Sequence, residues 1–363
     1  MIALPRPPFA HLLALSDRRG VFEHACGAVP RREHGYCTDD VARALVAILR
    51  EPLRPPALER LASTCLAFVS SAQLPDGRFR SRLSSDGHWL AEPGSNDTVG
   101  RALLGLAVAA TSATSPANRR SALARFDASA GFDADSPRAN ALATLAAAEV
   151  LEGIPGHAPA ERLLETSAVR LGSLGEDDGW PWPEARLAYA NALLAEGRIA
   201  AGVALGEPRR AAEGLGLLEW LVRVESKGSR FSFTPVGGWA PGEPRPGFDQ
   251  QPIEAVAMAE ACSRAFAVTG EPQWAETTLR AAAWFLGEND AGAFLLNLFT
   301  GGCHDGLEPG GCNLNQGAES TLAMIGALQH ARRLQAAARS APTISRASTV
   351  AAPTHRSAAP YVR

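Results

Sequence analysis

Acidic residues stand at the start of six apolar, helix-forming segments in this sequence of 363 residues. The acids at these six places are Asp39 with Asp40, Asp97, Asp135, Glu184, Glu254 and Glu319. An acid in the first turn of a helix is favoured by capping and by the helix dipole, without any further role. Two carboxyls that lie close together raise each other's pKa, however, so one of them can stay protonated and act as a general acid. If the six helix starts meet in space, an acid–base pair is expected among them.

The acid-led segments alternate with returning helices, so the repeating unit is a pair of helices. The first acid-led helix is predicted from about residue 38 to residue 50, and its returning helix covers 57–74. Further returning helices are predicted at 116–129, 158–174, 208–225 and 271–287. Together with a short helical segment at 8–18, these elements make six helical hairpins.

Six helix pairs can form either an open solenoid or a closed ring. A solenoid is built from regular repeats and needs polar caps at its ends, whereas the spacing of these pairs is irregular. The acid-led helices are dominated by Ala, Leu and Val, as expected for helices that are covered on all sides. The sequence therefore predicts an all-α fold, an (α/α)6 toroid over residues 1–336. The segment 337–363 has no apolar period and is predicted to be disordered.

The bulk composition excludes several classes of partner. Hydrophobic residues make up 46% of the chain and charged residues 20%, which is typical of a globular protein. The net charge of -3, without any Lys/Arg-rich run, argues against a nucleic acid partner. No stretch approaches the roughly 20 apolar residues of a membrane span, and the first residues lack the build of a secretion signal. We expect a cytoplasmic protein without a membrane span.

The loops that lead into the acid-led helices differ from the loops that leave them. The incoming loops are long and rich in Gly, Asp, His and Trp, whereas the outgoing loops are short. In a closed ring the inner helices run parallel, so all the long loops meet at one end, where binding usually resides. Aromatic rings beside carboxylates and amides suit a sugar, which has C–H faces to stack and hydroxyls to hydrogen-bond. An oligosaccharide or another glycan is therefore the expected ligand.

Histidine and cysteine pairs in two of these loops raise the question of a metal. His24 with Cys26, His34 with Cys37, and Cys303 with His304 could supply zinc ligands. None of them has a paired spacing such as Cys-x-x-Cys, and free cysteines commonly serve as small buried apolar residues. We predict reduced thiols, no metal site and no cofactor.

Four stretches carry motifs that are longer than the helix starts alone. They are residues 34–45 (HGYCTDDVARAL), 248–255 (FDQQPIEA), 301–307 (GGCHDGL) and 315–321 (NQGAEST). These motifs resemble a bacterial family of six-hairpin glycosidase-like domains, whose members are often fused to, or encoded beside, glycosyltransferases and mannoside-acting enzymes. The resemblance runs from about Val21 to His330. It implies the (α/α)6 toroid, a carbohydrate ligand and a glycosyltransferase as a candidate partner. Val41 and Asn96 depart from the family pattern, which tends to have Asn and an acid there.

The leading hypothesis is a glycoside hydrolase in which one carboxylic acid protonates the leaving oxygen and a carboxylate activates water. The catalytic candidates are Asp39 or Asp40 on the first inner helix, and Glu254 or Glu319 on the fifth and sixth. Candidates for binding the sugar come from the incoming loops and helix starts: His34, Arg43, Trp89, Asp97, Trp182, Trp239, Asp249, Gln250, His304, Asp305, Asn315 and Gln316.

Two alternatives remain open at this point. In a glycan-binding or accessory module of a glycosyltransferase system, the acids would only accept hydrogen bonds from sugar hydroxyls, and the departures at Val41 and Asn96 favour this. A sugar epimerase would use a histidine as general base, with His34, His88 and His304 in suitable loops. We rank the epimerase lower, because none of the six helix starts carries a histidine.

Overall fold

Twelve α-helices build the part of the chain that this computed structural model describes, residues 4–175, 177 and 179–340. They are α1 (Ala10–Ala14), α2 (Thr38–Leu49), α3 (Pro56–Ala72), α4 (Asn96–Ser112), α5 (Pro116–Ser129), α6 (Pro137–Gly153), α7 (Ala158–Val169), α8 (Ala192–Ala204), α9 (Pro208–Val224), α10 (Pro252–Thr269), α11 (Pro272–Ala283) and α12 (Ala318–Ser340). The even-numbered helices form an inner ring in which each contacts the next, and α12 contacts α2. The ring is therefore closed.

The odd-numbered helices pack outside this ring. Each of α3, α5, α7, α9 and α11 lies against the inner helix of its own hairpin, and the short α1 lies against α12 and α3, in the sixth outer place. The difference in composition explains the layering. The inner helix α6 buries Ala, Leu and Val on all sides, whereas the outer helix α5 buries only Ala122, Phe126 and Ser129. The predicted all-α (α/α)6 toroid is confirmed.

Small residues let the two layers approach closely. A Cβ on Gly202 of α8 would lie 2.3 Å from the backbone nitrogen of Ala211 in α9, a contact that no side-chain movement can relieve. We therefore expect Gly202→Ala to destabilise the fold by about 1–3 kcal/mol, the range typical of overpacking. The measurement is the free energy of unfolding from urea denaturation.

The control for this prediction is Gly216→Ala in α9, where a Cβ would meet nothing within 4 Å. Alanine in place of a helical glycine with free space stabilises by about 0.4–1 kcal/mol, mainly by restricting the unfolded chain. The two substitutions should thus move the unfolding midpoint in opposite directions. A stabilising effect of both would contradict the close packing of α8 on α9.

Within the described residues, the long incoming loops contain four two-stranded antiparallel sheets. They pair β1 (Ala25–Cys26) with β2 (Val29–Pro30), β3 (Tyr36–Cys37) with β4 (Arg82–Leu83), β5 (Ser226–Lys227) with β6 (Arg230–Phe231), and β7 (Gly306–Glu308) with β8 (Gly311–Asn313). A single 3-10 turn at Arg32–His34 precedes β3. All of these elements lie in segments that enter inner helices, so they shape the end of the toroid where α2, α4, α6, α8, α10 and α12 begin.

The prediction that six helices begin with an acid is wrong for two of them. The first turns of α2, α4, α10 and α12 contain Asp39 and Asp40, Asp97, Glu254 and Glu319, but those of α6 and α8 contain no acid. Helix α8 begins at Ala192 rather than near Glu184. The preceding segment is held out of the helix because Leu187 pairs with Trp239 and because Ala190 has a positive φ of 45°.

The C-terminal helix is longer than expected. Helix α12 continues to Ser340, so residues 337–340, which were assigned to the disordered tail, are helical. The rest of that predicted tail, 341–363, lies outside the described residues. None of the described helices combines the length and the apolar character needed to cross a membrane. The cytoplasmic location stays a prediction.

Candidate functional site

A pocket runs along the axis of the ring and is lined by residues of every inner helix. Most of the lining is apolar, including Leu104, Leu142 and Leu145. The charged lining residues are Arg43 and Arg50 from α2, Arg101 from α4, Glu260 from α10 and Glu319 from α12. Because Arg43 and Glu319 lie close to the N-termini of their helices, the pocket reaches the end of the toroid where the long loops meet.

One guanidinium joins two of the predicted catalytic acids beside this pocket. Arg43 donates from Nη1 to Oδ1 of Asp40 at 2.8 Å, and its Nη2 lies 2.9 Å from Oε2 of Glu319. The two acids differ in environment, since the Asp40 residue is 4% exposed and the Glu319 side chain is 43% exposed. Burial raises the pKa of Asp40 to about 7, with Arg43 opposing the rise and Glu319 adding to it. A buried acid that titrates near neutrality thus lies beside an accessible carboxylate.

Asp39 lies next to this pair and, like Asp40, is not among the residues that line the pocket, whereas Glu319 is. The Oδ1 of Asp39 is buried and has no hydrogen-bond partner among the described residues. Asp39 is close enough to Asp40 to contribute to the rise of its pKa. The structure therefore brings three of the four predicted catalytic acids together at the start of α2 and α12, with Arg43 between two of them.

Glu254, the fourth candidate, lies elsewhere and serves a different purpose. It is 3% exposed and does not line the pocket. Its Oε1 accepts the backbone N–H of Ala190, and its Oε2 accepts the backbone and side-chain N–H groups of Asn191. Burial and, to a smaller extent, the charge of Glu225 raise the pKa of Glu254 to about 8, while the N–H donors oppose the rise. Glu254 therefore fixes the segment that precedes α8.

Among the described residues, one group of possible metal ligands comes together near Asp40. Ligand atoms of Glu23, Cys37 and Asp40 lie within 4.8 Å of one another. The two carboxylates are already engaged, Glu23 by both terminal nitrogens of Arg82 and Asp40 by Arg43. Burial, followed by the charge of Asp40, raises the pKa of the Cys37 thiol, which disfavours the thiolate that binds metals. This donor set does not fit a cation, and we assign none.

Four predicted sugar-binding residues are engaged in holding loops. The buried Gln250 side chain makes four hydrogen bonds. Its Oε1 accepts from the Phe233 backbone N–H and the Trp284 indole N–H, and its Nε2 donates to the Gly247 carbonyl and the Asp290 carboxylate. The remaining three lie around the start of α12. Asp305 accepts from the Gly317 N–H at 2.7 Å and from Ser320 at 2.8 Å, Gln316 accepts from Thr300 at 2.6 Å, and Asn315 accepts from the Gly27 N–H at 3.0 Å.

The predicted stacking tryptophans pack against other aromatic rings, and none of them lines the axial pocket. Trp182 is 2% exposed and stacks on Trp220 of α9, with 5.9 Å between the ring centroids. Trp89 packs edge-on against Phe68 of α3 at 5.0 Å. Trp239 is half-buried and packs against Trp180 at 5.5 Å. Trp89 and Trp239 are thus partly accessible, whereas Trp182 is buried.

The remaining candidates lie in the loops around the mouth. Asp97 accepts a hydrogen bond from the hydroxyl of Tyr189, which places both side chains at the start of α4. His34 packs edge-on against His24, with 5.1 Å between ring centroids, and Asp249 is exposed. His304 is half-buried, with Nδ1 3.3 Å from the carbonyl oxygen of Leu314. None of these four predicted residues lines the axial pocket.

Sequence reasoning missed two charged features of the pocket. Arg101 lines it from α4, and Arg50 pairs with Glu260 at 3.1 Å deeper along the axis. Arg101 could have been found from the repeat itself, since the segment Asn96–Arg101 aligns with Thr38–Arg43 without a gap. No local signal indicates the second pair, because its members come from α2 and α10.

No protein-family model matches the sequence, and neither does any curated protein sequence. Solved structures of similar fold include the cellobiose 2-epimerase from Bacillus thermoamylovorans, with a TM-score of 0.70 at 9% identity over 89% of this chain and 95% of that one. A D-mannose isomerase gives a TM-score of 0.64 at 11% identity over 90% of this chain and 95% of that one. The cellulase Cel9M of C. cellulolyticium, solved in complex with cellobiose, gives a TM-score of 0.61 at 7% identity over 87% of this chain and 88% of that one. At these identities the likeness shows the fold alone.

Proposed function

We propose that the protein is a carbohydrate-active enzyme that binds a glycan at the N-terminal mouth of the axial pocket and hydrolyses an O-glycosidic bond there. The observation that carries this proposal is the contact of Arg43 with both Asp40 and Glu319 beside the pocket. An acid and a carboxylate in different environments are what glycoside hydrolysis requires. The structures of similar fold support a sugar as the ligand, since their names describe sugar epimerisation, sugar isomerisation or cellulose breakdown.

The two carboxyls take different roles in this proposal. Glu319 lines the pocket and has an accessible side chain, so it accepts the proton of the attacking water. Asp40 donates its proton to the leaving oxygen as the bond between that oxygen and the anomeric carbon breaks. The water oxygen forms the new bond to the anomeric carbon, and the proton on Glu319 later restores Asp40 through solvent. Arg43 positions both groups.

The pH dependence of the activity follows from the state of Asp40. A general acid works only while it holds its proton, and the pKa of Asp40 is raised to about 7. We expect kcat/KM to fall as the pH rises above about 7, because this parameter reports the ionisation of the free enzyme. The measurement is kcat/KM on one cleaved glycan between pH 5 and pH 9. A profile that keeps rising to pH 9 would rule out Asp40 as the acid.

The experiment that tests the function is a screen of the purified protein against manno-, gluco- and galacto-oligosaccharides. Reducing ends report hydrolysis, and proton NMR of the same samples reports any change of sugar configuration without cleavage. Release of reducing ends supports the hydrolase. Saturable binding without any change in the glycan would instead favour the binding or accessory module, whose glycosyltransferase partner is proposed from the sequence resemblance alone.

A sugar epimerase is the second candidate, because two of the structures of similar fold carry names for epimerisation and isomerisation. Such a reaction needs a base that removes a proton from carbon. No histidine is among the described residues that line the pocket, so Glu319 would have to be this base. A new epimer in the NMR spectrum, with the glycosidic bond intact, would support the epimerase and contradict the hydrolase.

A further inference from the structure

Arg43 and Arg101 occupy equivalent places on neighbouring inner helices. Each is the sixth residue of its helix, counted from Thr38 in α2 and from Asn96 in α4. Both line the axial pocket. The repeat therefore presents two guanidinium groups side by side, one turn below the N-terminal end of the ring.

The two arginines differ in their charge partners. Arg43 pairs through Nη1 with Asp40, which stands three residues before it, and through Nη2 with Glu319. Three residues before Arg101 stands Thr98. The nearest acid on the same helix, Asp97, accepts from the hydroxyls of Tyr189 and Ser136. Within the described part of the chain, Arg101 has no ion pair and no hydrogen bond.

The pKa values follow the same difference. Burial lowers the pKa of Arg43, but Glu319 and Asp40 outweigh this effect and raise the pKa above its usual value. Burial lowers the pKa of Arg101, and the charge of Arg43 lowers it further. The charges of Asp39 and Glu319 oppose part of this effect. A guanidinium carries five N–H donors, and a charge that is withdrawn from water without a partner is costly.

Among the described residues that line the pocket, arginines outnumber carboxylates, and Asp39, which lies outside the lining, offsets part of the charge of Arg101. Three arginines, Arg43, Arg50 and Arg101, face two glutamates, Glu260 and Glu319. Arg50 pairs with Glu260, and Arg43 pairs with Glu319. The positive charge that remains on the lining is that of Arg101. Its neighbours in the pocket include Leu104 and Leu142, and an apolar surrounding strengthens any charge-assisted hydrogen bond.

We infer that Arg101 binds an anionic substituent of the glycan, a carboxylate or a phosphate or sulfate ester, so the preferred ligand is an acidic sugar. This inference rests on the proposed carbohydrate function and names the substrate class. The planar fork of a guanidinium accommodates two oxygens of such a group at once. Neutral sugars would leave the Arg101 charge unpaired in the pocket.

The test compares binding of charged and neutral sugars by isothermal titration calorimetry. The probes are D-glucuronate, D-galacturonate and D-mannuronate beside D-glucose, D-galactose and D-mannose, together with glucose 6-phosphate and glucose 6-sulfate. We expect wild-type protein to bind at least one anionic sugar about tenfold or more tightly than its neutral counterpart. The uronate, phosphate and sulfate arms identify which anion is preferred.

Two substitutions of Arg101 and one control separate its role from an effect on folding. Arg101→Met should bring the ratio of anionic to neutral affinity close to one. Arg101→Lys should keep part of the preference, because it retains the charge but loses the fork. Arg60→Met, at an exposed site on α3, should keep the full preference. Thermal unfolding of each variant shows whether it is folded.

Three outcomes overturn the inference: no anionic sugar binds more tightly than its neutral counterpart, the preference survives in folded Arg101→Met, or Arg60→Met removes it equally. The proposed hydrolase is tested separately, since its readout is turnover. Cleavage of neutral glycans without any anionic preference would leave the hydrolase standing and remove this inference. A preference for anionic sugars that depends on Arg101, without cleavage of any glycan, would support this inference and contradict the hydrolase.

Discussion

Glu319→Gln should lower turnover on a cleaved glycan by about 10²–10⁴-fold, the usual contribution of a general base or acid. The substitution keeps the size of the side chain but removes the group that takes the proton from water. It also removes one of the two carboxylates that pair with Arg43. The measurement is kcat and KM of the variant, and the loss should appear in kcat.

The control for this prediction is Glu276→Gln, the same change at an exposed place on the outer helix α11, which should leave turnover within about twofold of wild type. Circular dichroism and thermal unfolding show whether both variants are folded. Asp40→Asn should lose a similar factor, since asparagine cannot give up the proton. A folded Glu319→Gln that retains more than about a tenth of wild-type turnover would exclude Glu319 as the base.

Glu254→Ala should destabilise the fold by about 3–5 kcal/mol. The truncation leaves the backbone N–H groups of Ala190 and Asn191 and the side-chain amide of Asn191 without an acceptor in a buried place. Each unsatisfied buried donor costs about 1–3 kcal/mol, and water that enters the space left by the side chain offsets part of the sum. The measurement is the free energy of unfolding from urea denaturation.

Glu254→Gln provides the matched comparison for this truncation. It keeps one acceptor oxygen and the volume of the side chain, so its destabilisation should be smaller than that of Glu254→Ala. The two variants also test the division of roles between the acids. A stable Glu254→Ala that has lost turnover would indicate that Glu254 takes part in the reaction, and that its contacts with Ala190 and Asn191 are secondary.

Several features of the site could be predicted from the sequence because they are local. Apolar residues at helical spacing predict the hairpins, since that spacing places them on one face whatever lies opposite. Asp40 and Arg43 stand three residues apart on one helix, and side chains at that spacing are neighbours on its surface. The closure of the ring then brings the start of α12, with Glu319, beside the start of α2.

The roles of the other acids and amides depend on partners that are distant in the sequence. Glu254 and Asp305 stand in motifs as conspicuous as that of Asp40. Glu254 holds the segment before α8 by its bond to Asn191, 63 residues away in the sequence. Asp305 caps α12 through Gly317 and Ser320. An acid at a helix start satisfies the same pattern whether its oxygens face a pocket or a buried N–H group, so its sequence neighbours do not distinguish the two.

The amino-acid sequence by itself determined the helical hairpins, the closed ring and the end of the ring where the long loops meet, because these follow from periodicity and from the lengths of loops. Only the tertiary structure decided which charges are neutralised. It buried Trp182 against Trp220, engaged Gln250 and Glu254 in hydrogen bonds, and joined Asp40 and Glu319 through Arg43. Among the described residues, it left Arg101 without an ion pair or a hydrogen bond. The free energy of a charge depends on which side chains approach it in space, and for Arg101 these are charged groups of α2, α10 and α12.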